Sequence, residues 1–117
     1  MRKAEEFYAS ARDLLASTED EANVADSCVT LFVHAGIAAA DVLCCRSLGR
    51  HASGESHIHA IELLGRVSPG GRELSKALSA LLGMKTSAGY GSSPVTAEQR
   101  RRAQRAGTKL IEAARTR

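Results

Sequence analysis

The chain has no tryptophan and only four aromatic side chains in 117 residues: Phe7, Tyr8, Phe32 and Tyr90. A core so poor in rings must be built from Leu, Ile, Val and Ala, which suits close-packed helices better than a sandwich of sheets. No segment alternates apolar and polar residues at period two for long enough to make a strand. Internal repeats and low-complexity tracts are missing as well. Cysteine is scarce: Cys28, Cys44 and Cys45 are odd in number, lack metal-site spacing and lie in an apolar stretch. They are expected to be buried, reduced thiols of a cytoplasmic protein. Arg2 and Lys3 are followed by an amphipathic stretch, not by the apolar run of a signal peptide. The apolar run from Ala35 to Cys45 is interrupted by Asp41 and is shorter than the ~20 residues that cross a bilayer. No membrane association, cofactor or metal is therefore expected.

What the sequence does contain is one long apolar stretch, Asn23 to Gly49, with no proline and Gly36 as its only interior glycine. As a helix it would be about 40 Å long. Its apolar side chains go almost all the way round, the mark of a helix buried by neighbours on every side. The exception is a narrow polar stripe, Ser27, Thr30, His34 and Asp41, within about 60° of arc. Ala35, Gly36, Ala38, Ala39 and Ala40 let other helices approach closely at its middle.

The remaining segments also read as helices. Residues 3–17 repeat Phe7, Ala11, Leu14 and Leu15 at helical spacing. An acidic turn from Thr18 to Glu21 leads into the central helix. A third helix, capped by Ser53 or Ser56, carries Ile58, Ile61 and Leu64 on its apolar face. Ser68-Pro69-Gly70-Gly71 breaks the chain. A fourth helix from about Arg72 has the stripe Leu74, Leu78, Leu81 and Leu82, with Lys85 next on it, and ends at the segment SAGYGSSP. Thr96 and Gln99 have the form of a capping box and open a fifth helix that buries Ala103, Ala106, Leu110 and Ala113. The expected fold is all-α, a single domain over residues 1–117 forming an up-and-down bundle of about five helices.

Charge is distributed unevenly. Residues 1–26 carry three basic and seven acidic side chains, net −4, and residues 99–117 carry seven basic and one acidic, net +6. Such ends fit terminal helices packed side by side, an electrostatic match between subunits, or a basic face that meets nucleic acid.

Three pieces of the sequence, in order, resemble the HEPN superfamily of small helical-bundle domains. They are the small-residue helix LFVHAGIAAADVLCC, the histidine His57 at the start of the next helix in GESHIHAIELL, and Lys85 to Tyr90 in LLGMKTSAGYG before a final capped helix. The resemblance spans roughly Ala4 to Ala114. It implies a homodimer formed through helices at the edge of the bundle. It also implies one of two functions: a metal-independent ribonuclease of toxin or defence type, or an accessory that binds nucleotide or RNA beside a nucleotidyltransferase. The family's nucleases use an Arg and a His spaced R-x4-6-H in the helix that here holds Lys85. Lys85 stands at the Arg position, and the His positions hold Tyr90, Gly91 and Ser92. The resemblance thus implies a member without the nucleolytic motif.

Candidate sites follow from the residues. Arg46 and His51 form a literal R-x4-H, but about one such match arises by chance in a chain this rich in arginine. A solvated helix end, with Arg46 and Arg50 near its negative pole, explains them as well. His34 and Asp41 lie ~10 Å apart along one helix face and are expected to line one groove, with Lys85 or Tyr90 from the fourth helix as partners. Such a set would hold a phosphate or move protons; a hydrogen-bond network or dimer seam is the plainer reading. His57 and His59, at i and i+2, point to different sides of a helix and do not chelate. Arg100, Arg101, Arg102 and Arg105 would meet phosphates without base stacking, or simply form a solvated face. The expectation is a non-catalytic homodimeric module that binds a nucleotide, RNA or a protein partner. The alternatives are a ribonuclease using Arg46 and His51, and a purely structural interaction dimer.

Overall fold

Phe32 on the second helix packs against Tyr8 on the first and Gly107 on the last, and the helices are arranged around such contacts. A computed structural model describes residues 1–16, 21–52, 57–90 and 95–117, with only the backbone described at 21–25 and 86–90. The elements are α1 (Arg2–Ala16), α2 (Glu21–Leu48), α3 (His57–Gly65), α4 (Gly71–Tyr90) and α5 (Ala97–Thr116). No strand occurs among the described residues. The fold is the all-α bundle that the sequence implies. The acidic turn at 18–20, the cap at Ser53 or Ser56 and the break at 91–94 lie outside the described residues.

Contacts fix the helix directions. Cys28 pairs with Ala11 and His34 with Phe7, so α1 and α2 are antiparallel. Gly36 faces Leu81, and the cavity that holds Asp41 also holds Leu78, so α2 and α4 are antiparallel too. Glu73 reaches Lys109 while Arg102 lies near Ala80, which makes α4 and α5 antiparallel. By contrast α2 and α5 run parallel, Phe32 meeting Gly107 and Gly36 meeting Leu110. They form the close diagonal of the bundle, with α1 on one side and α4 on the other. Glycine makes this approach possible: a Cβ on Gly36 would collide with the Leu81 side chain, and one on Gly107 would stand 3.1 Å from the Phe32 ring. Leu81, Leu110 and Phe32 are fully buried, so neither position has slack.

Local signals explain the ends of the helices. Thr96 Oγ1 accepts the Gln99 N–H at 3.1 Å and Gln99 Oε1 accepts the Thr96 N–H at 2.9 Å, completing the capping box. The break at 68–71 contains Gly70 at φ +84°, a backbone state open to glycine. At Gly71 a Cβ would come within 2.7 Å of the Gly65 carbonyl oxygen, so only glycine lets α3 and α4 meet there.

Five expectations are corrected. The buried face of α1 is Ala4, Tyr8 and Ala11; of the expected stripe only Ala11 is fully buried, and Phe7, Leu14 and Leu15 are half-buried. Tyr8 goes inward because its hydroxyl reaches Thr108 Oγ1 at 2.9 Å, which satisfies the polar tip of an otherwise apolar ring. Ile58 is 72% exposed instead of packed, and α3 buries Leu63 and Leu64. The helix α4 continues through Ser87–Tyr90. In α5, Ile111 and Ala114 are buried and Ala113 only half so. Cys28 and Cys44 are buried as expected, but Cys45 is exposed.

The central helix also differs from the expectation of burial on every side. Ser27, His34 and Cys45 are exposed, and Thr30, Leu31, Ile37, Ala38, Asp41, Val42 and Leu48 are half-buried. By helical geometry these lie within about 80° of one line along the helix. That line faces away from α5. By length and composition alone, Asp26–Leu48 is a segment able to cross a membrane, although more than half of its most apolar window is buried inside the molecule.

Candidate functional site

Two places collect polar side chains. The first is a cavity of about 70 Å³ between α2, α3 and α4, lined by Asp41 and His57 among the apolar side chains Ile37, Ala40, Leu78 and Leu82. Asp41 is set there by its place on α2, and His57 by the first turn of α3. Burial raises the Asp41 carboxyl above the ordinary range, and the nearby His51 draws it partly back. Among the described residues Asp41 makes no hydrogen bond. Lys85 Nζ stands 3.4 Å from His57 Nε2, within hydrogen-bond distance. The Cys44 thiol, buried behind Asp41, is pushed up to about 11, by desolvation first and by Asp41 second. It is a packing residue, not a nucleophile.

The structure therefore separates the expected groove into parts. His34 is exposed and stacks on Phe7 of α1, with ring centroids 5.2 Å apart and planes 28° apart. It is not part of the Asp41 cavity lining. Lys85 comes to the same corner as Asp41, through His57, a partner the sequence did not suggest for it. Tyr90 is the last residue of α4 and its side chain lies outside the description. His51 directs Nδ1 to the Ala52 carbonyl oxygen at 3.0 Å. Arg46 donates to the Ala114 carbonyl oxygen at 2.6 Å, at the end of α5. On α2, Arg46 points about 140° away from Asp41, the residue beside which His51 lies. The R-x4-H string is thus divided between two faces.

The second place is the outer face of α5. Arg101, Arg102 and Arg105 are exposed together with Lys109, which the sequence reading did not include. They line two shallow, open grooves. One, of about 550 Å³, runs along α5 itself past Gln104, Thr108 and Glu112, and the other, of about 260 Å³, lies against α4 at Glu73 and Lys76. Arg100 is half-buried and turned the other way, near Cys28 on α2. Helical geometry places it more than 100° from Arg105.

Acidic groups partly neutralise this face. Glu98 holds Arg101 at 3.2 Å and Arg105 at 3.6 Å, and Glu73 holds Lys109 at 3.8 Å. All these partners are at least half exposed, where ion pairs are weak and exchange readily for other anions. Arg102 makes no ion pair among the described residues. Arg115, in the last turn of α5, is different. It forms a two-pronged pair with Glu5 of α1, at 2.9 and 2.8 Å, and its guanidinium lies 5.5 Å from the Tyr8 ring centre. That hydrogen bond holds the Glu5 carboxyl below its usual range. The opposite charges of the two chain ends thus meet in this bidentate contact, and Arg101, Arg102, Arg105 and Lys109 of α5 face outward. No group of three or more metal-ligating side chains occurs among the described residues. No protein-family model matches the chain, and neither a curated protein nor a solved structure is similar to it.

Proposed function

We infer that this protein is a non-catalytic, HEPN-like helical module that binds RNA through its phosphates on the outer face of α5. The observation that carries the reading is the exposed row Arg101, Arg102, Arg105 and Lys109, about 12 Å long, held by weak pairs or none. Side chains so placed bind the backbone of a strand and read little sequence. No described aromatic lies among them to stack bases. A nucleotide in the Asp41 cavity is disfavoured by size, because pockets for small organic ligands are several times larger. Cleavage by Arg46 and His51 is disfavoured because Arg46 is hydrogen-bonded to the end of α5.

The test is a titration of purified protein with single-stranded RNA across a range of salt, read by fluorescence anisotropy and by gel. Binding should weaken linearly on a log–log plot, with a slope of about −0.7 per phosphate contact. The triple variant Arg101→Ala, Arg102→Ala, Arg105→Ala should bind several-fold more weakly and with a shallower slope. Binding that ignores both salt and the triple variant would sink the reading. RNA cleavage that disappears in His51→Ala would replace it with the nuclease.

A further inference from the structure

The cations of α5 border two grooves, and the two differ in what lies across from the row. One groove runs over α5 alone, past Gln104, Thr108 and Glu112. The other is a trough between two antiparallel helices, with Arg102, Arg105 and Lys109 of α5 on one bank and Lys76 and Glu73 of α4 on the opposite bank. Its floor is Ala77, Ala80 and Ala106, whose methyl groups leave room for a sugar between the banks. Arg102, which makes no ion pair among the described residues, lines this trough and not the other groove. Lys109 stands at the Glu73 end, and Arg105 and Arg102 follow about 6 and 10 Å further along the helix. A strand laid in the trough thus meets a cation at each turn of α5.

Glu73 interrupts the positive banks. It stands 3.7 Å from Lys76 and 3.8 Å from Lys109, with one carboxylate oxygen towards each. Both distances exceed those of a hydrogen bond, so the pairs are electrostatic and lone pairs on both oxygens stay open. Glu98 differs, since it accepts a hydrogen bond from Arg101 at 3.2 Å. A phosphate diester has no proton to give Glu73 and is repelled by it. The 2′-hydroxyl of ribose is a donor that RNA carries and DNA lacks. It sits on the carbon next to the one that bears the phosphate, so a phosphate held by Lys76 or Lys109 brings a hydroxyl towards Glu73.

We propose that Glu73 selects ribose over deoxyribose in the trough between α4 and α5, accepting a hydrogen bond from a 2′-hydroxyl while Lys76, Arg102, Arg105 and Lys109 hold the flanking phosphates. Such selectivity presupposes the phosphate-binding face of α5 inferred above and extends it across the trough to α4. With DNA the carboxylate meets only carbon and phosphate, so its charge opposes binding and gains nothing in return.

Anisotropy titrations with oligouridylate and with oligodeoxyuridylate of equal length isolate the hydroxyl, because the two strands differ in nothing else. The wild type should hold the ribose strand about fivefold more tightly or better, and a 2′-O-methyl strand should bind like the deoxy strand. Glu73→Ala should bring the two affinities to within about twofold of each other, by strengthening DNA more than RNA. A carboxylate that acts only through its charge would shift both strands alike and leave their ratio unchanged, which would overturn the proposal. Glu112→Ala, in the other groove, should keep the wild-type ratio, and a collapse there would place the selective group on the wrong side of the row. Lys76→Ala should weaken both strands alike with a shallower salt slope; no effect would remove α4 from the site. Circular dichroism on each of these exposed variants confirms helicity. Equal, salt-sensitive binding of both strands, lost in the triple arginine variant, would leave the phosphate-binding face standing and end the selectivity alone. Binding of neither strand would end both.

Discussion

Asp41 is the residue with the most to reveal. Its carboxyl lies half-buried on the wall of a small cavity, and desolvation holds its pKa above the unfolded value. A raised carboxyl pKa means that the folded chain keeps its proton where the unfolded chain has lost it. Stability is therefore highest below the unfolded value, near 3.8. It falls as pH rises towards the folded pKa, and the penalty is complete above it. Asp41→Asn should accordingly raise the melting temperature of the dilute protein at pH 7 and leave it nearly unchanged at pH 3. Equal shifts at both pH values would mean that the carboxylate carries no desolvation penalty. Lys85 teaches a related lesson. Its place after a row of leucines marked it as unusual, but the side chain it meets, His57, is 28 residues away on another helix. No local spacing encodes that pair. Arg100 and Lys109 show the limit from the other side: the basic cluster was visible as a run of letters, yet a consecutive run winds round a helix. One arginine of the run turns inward, and a lysine further along joins the face in its place.

At the scale of the element, features set by a few neighbouring residues were legible. The Thr96-x-x-Gln99 box forms with both bonds, and the Ser68–Gly71 break falls between α3 and α4. Because the box satisfies the first amides of α5, Thr96→Ala should cost about 1 kcal/mol in urea unfolding, with an unchanged denaturant slope. No loss at all would mean that Val95, tied to Asp26 Oδ1 at 3.2 Å, positions the helix start without the cap. Which side of an element faces the core was less legible. In α1 the adjacent Phe7 and Tyr8 both continue an apolar spacing, and only the reach of Tyr8 to Thr108 decides between them. In α2, where nearly every side is apolar, the letters do not tell which side lacks a neighbour. Four helices flank α2, yet its outward side stays uncovered, and this is a property of the assembly of elements and not of the α2 sequence.

For the molecule as a whole, the parallel diagonal of α2 and α5 forms the rigid centre, with fully buried Phe32, Leu110 and Ile111 and two glycines at the close contact. The nine-residue α3 sits at the margin with Leu63 and Leu64 as its buried side chains. Amide hydrogen exchange should follow this order: the middle of α2 and the C-terminal half of α5 slowest, α3 fastest among the helices. Uniform protection across all five would show that α3 unfolds only with the whole bundle. The close diagonal has one more effect. Because α5 packs against the side of α2 opposite the half-exposed row, the basic face and that row point in opposite directions. A polyanion held on the arginines of α5, as we propose, would therefore leave the apolar row of α2 untouched.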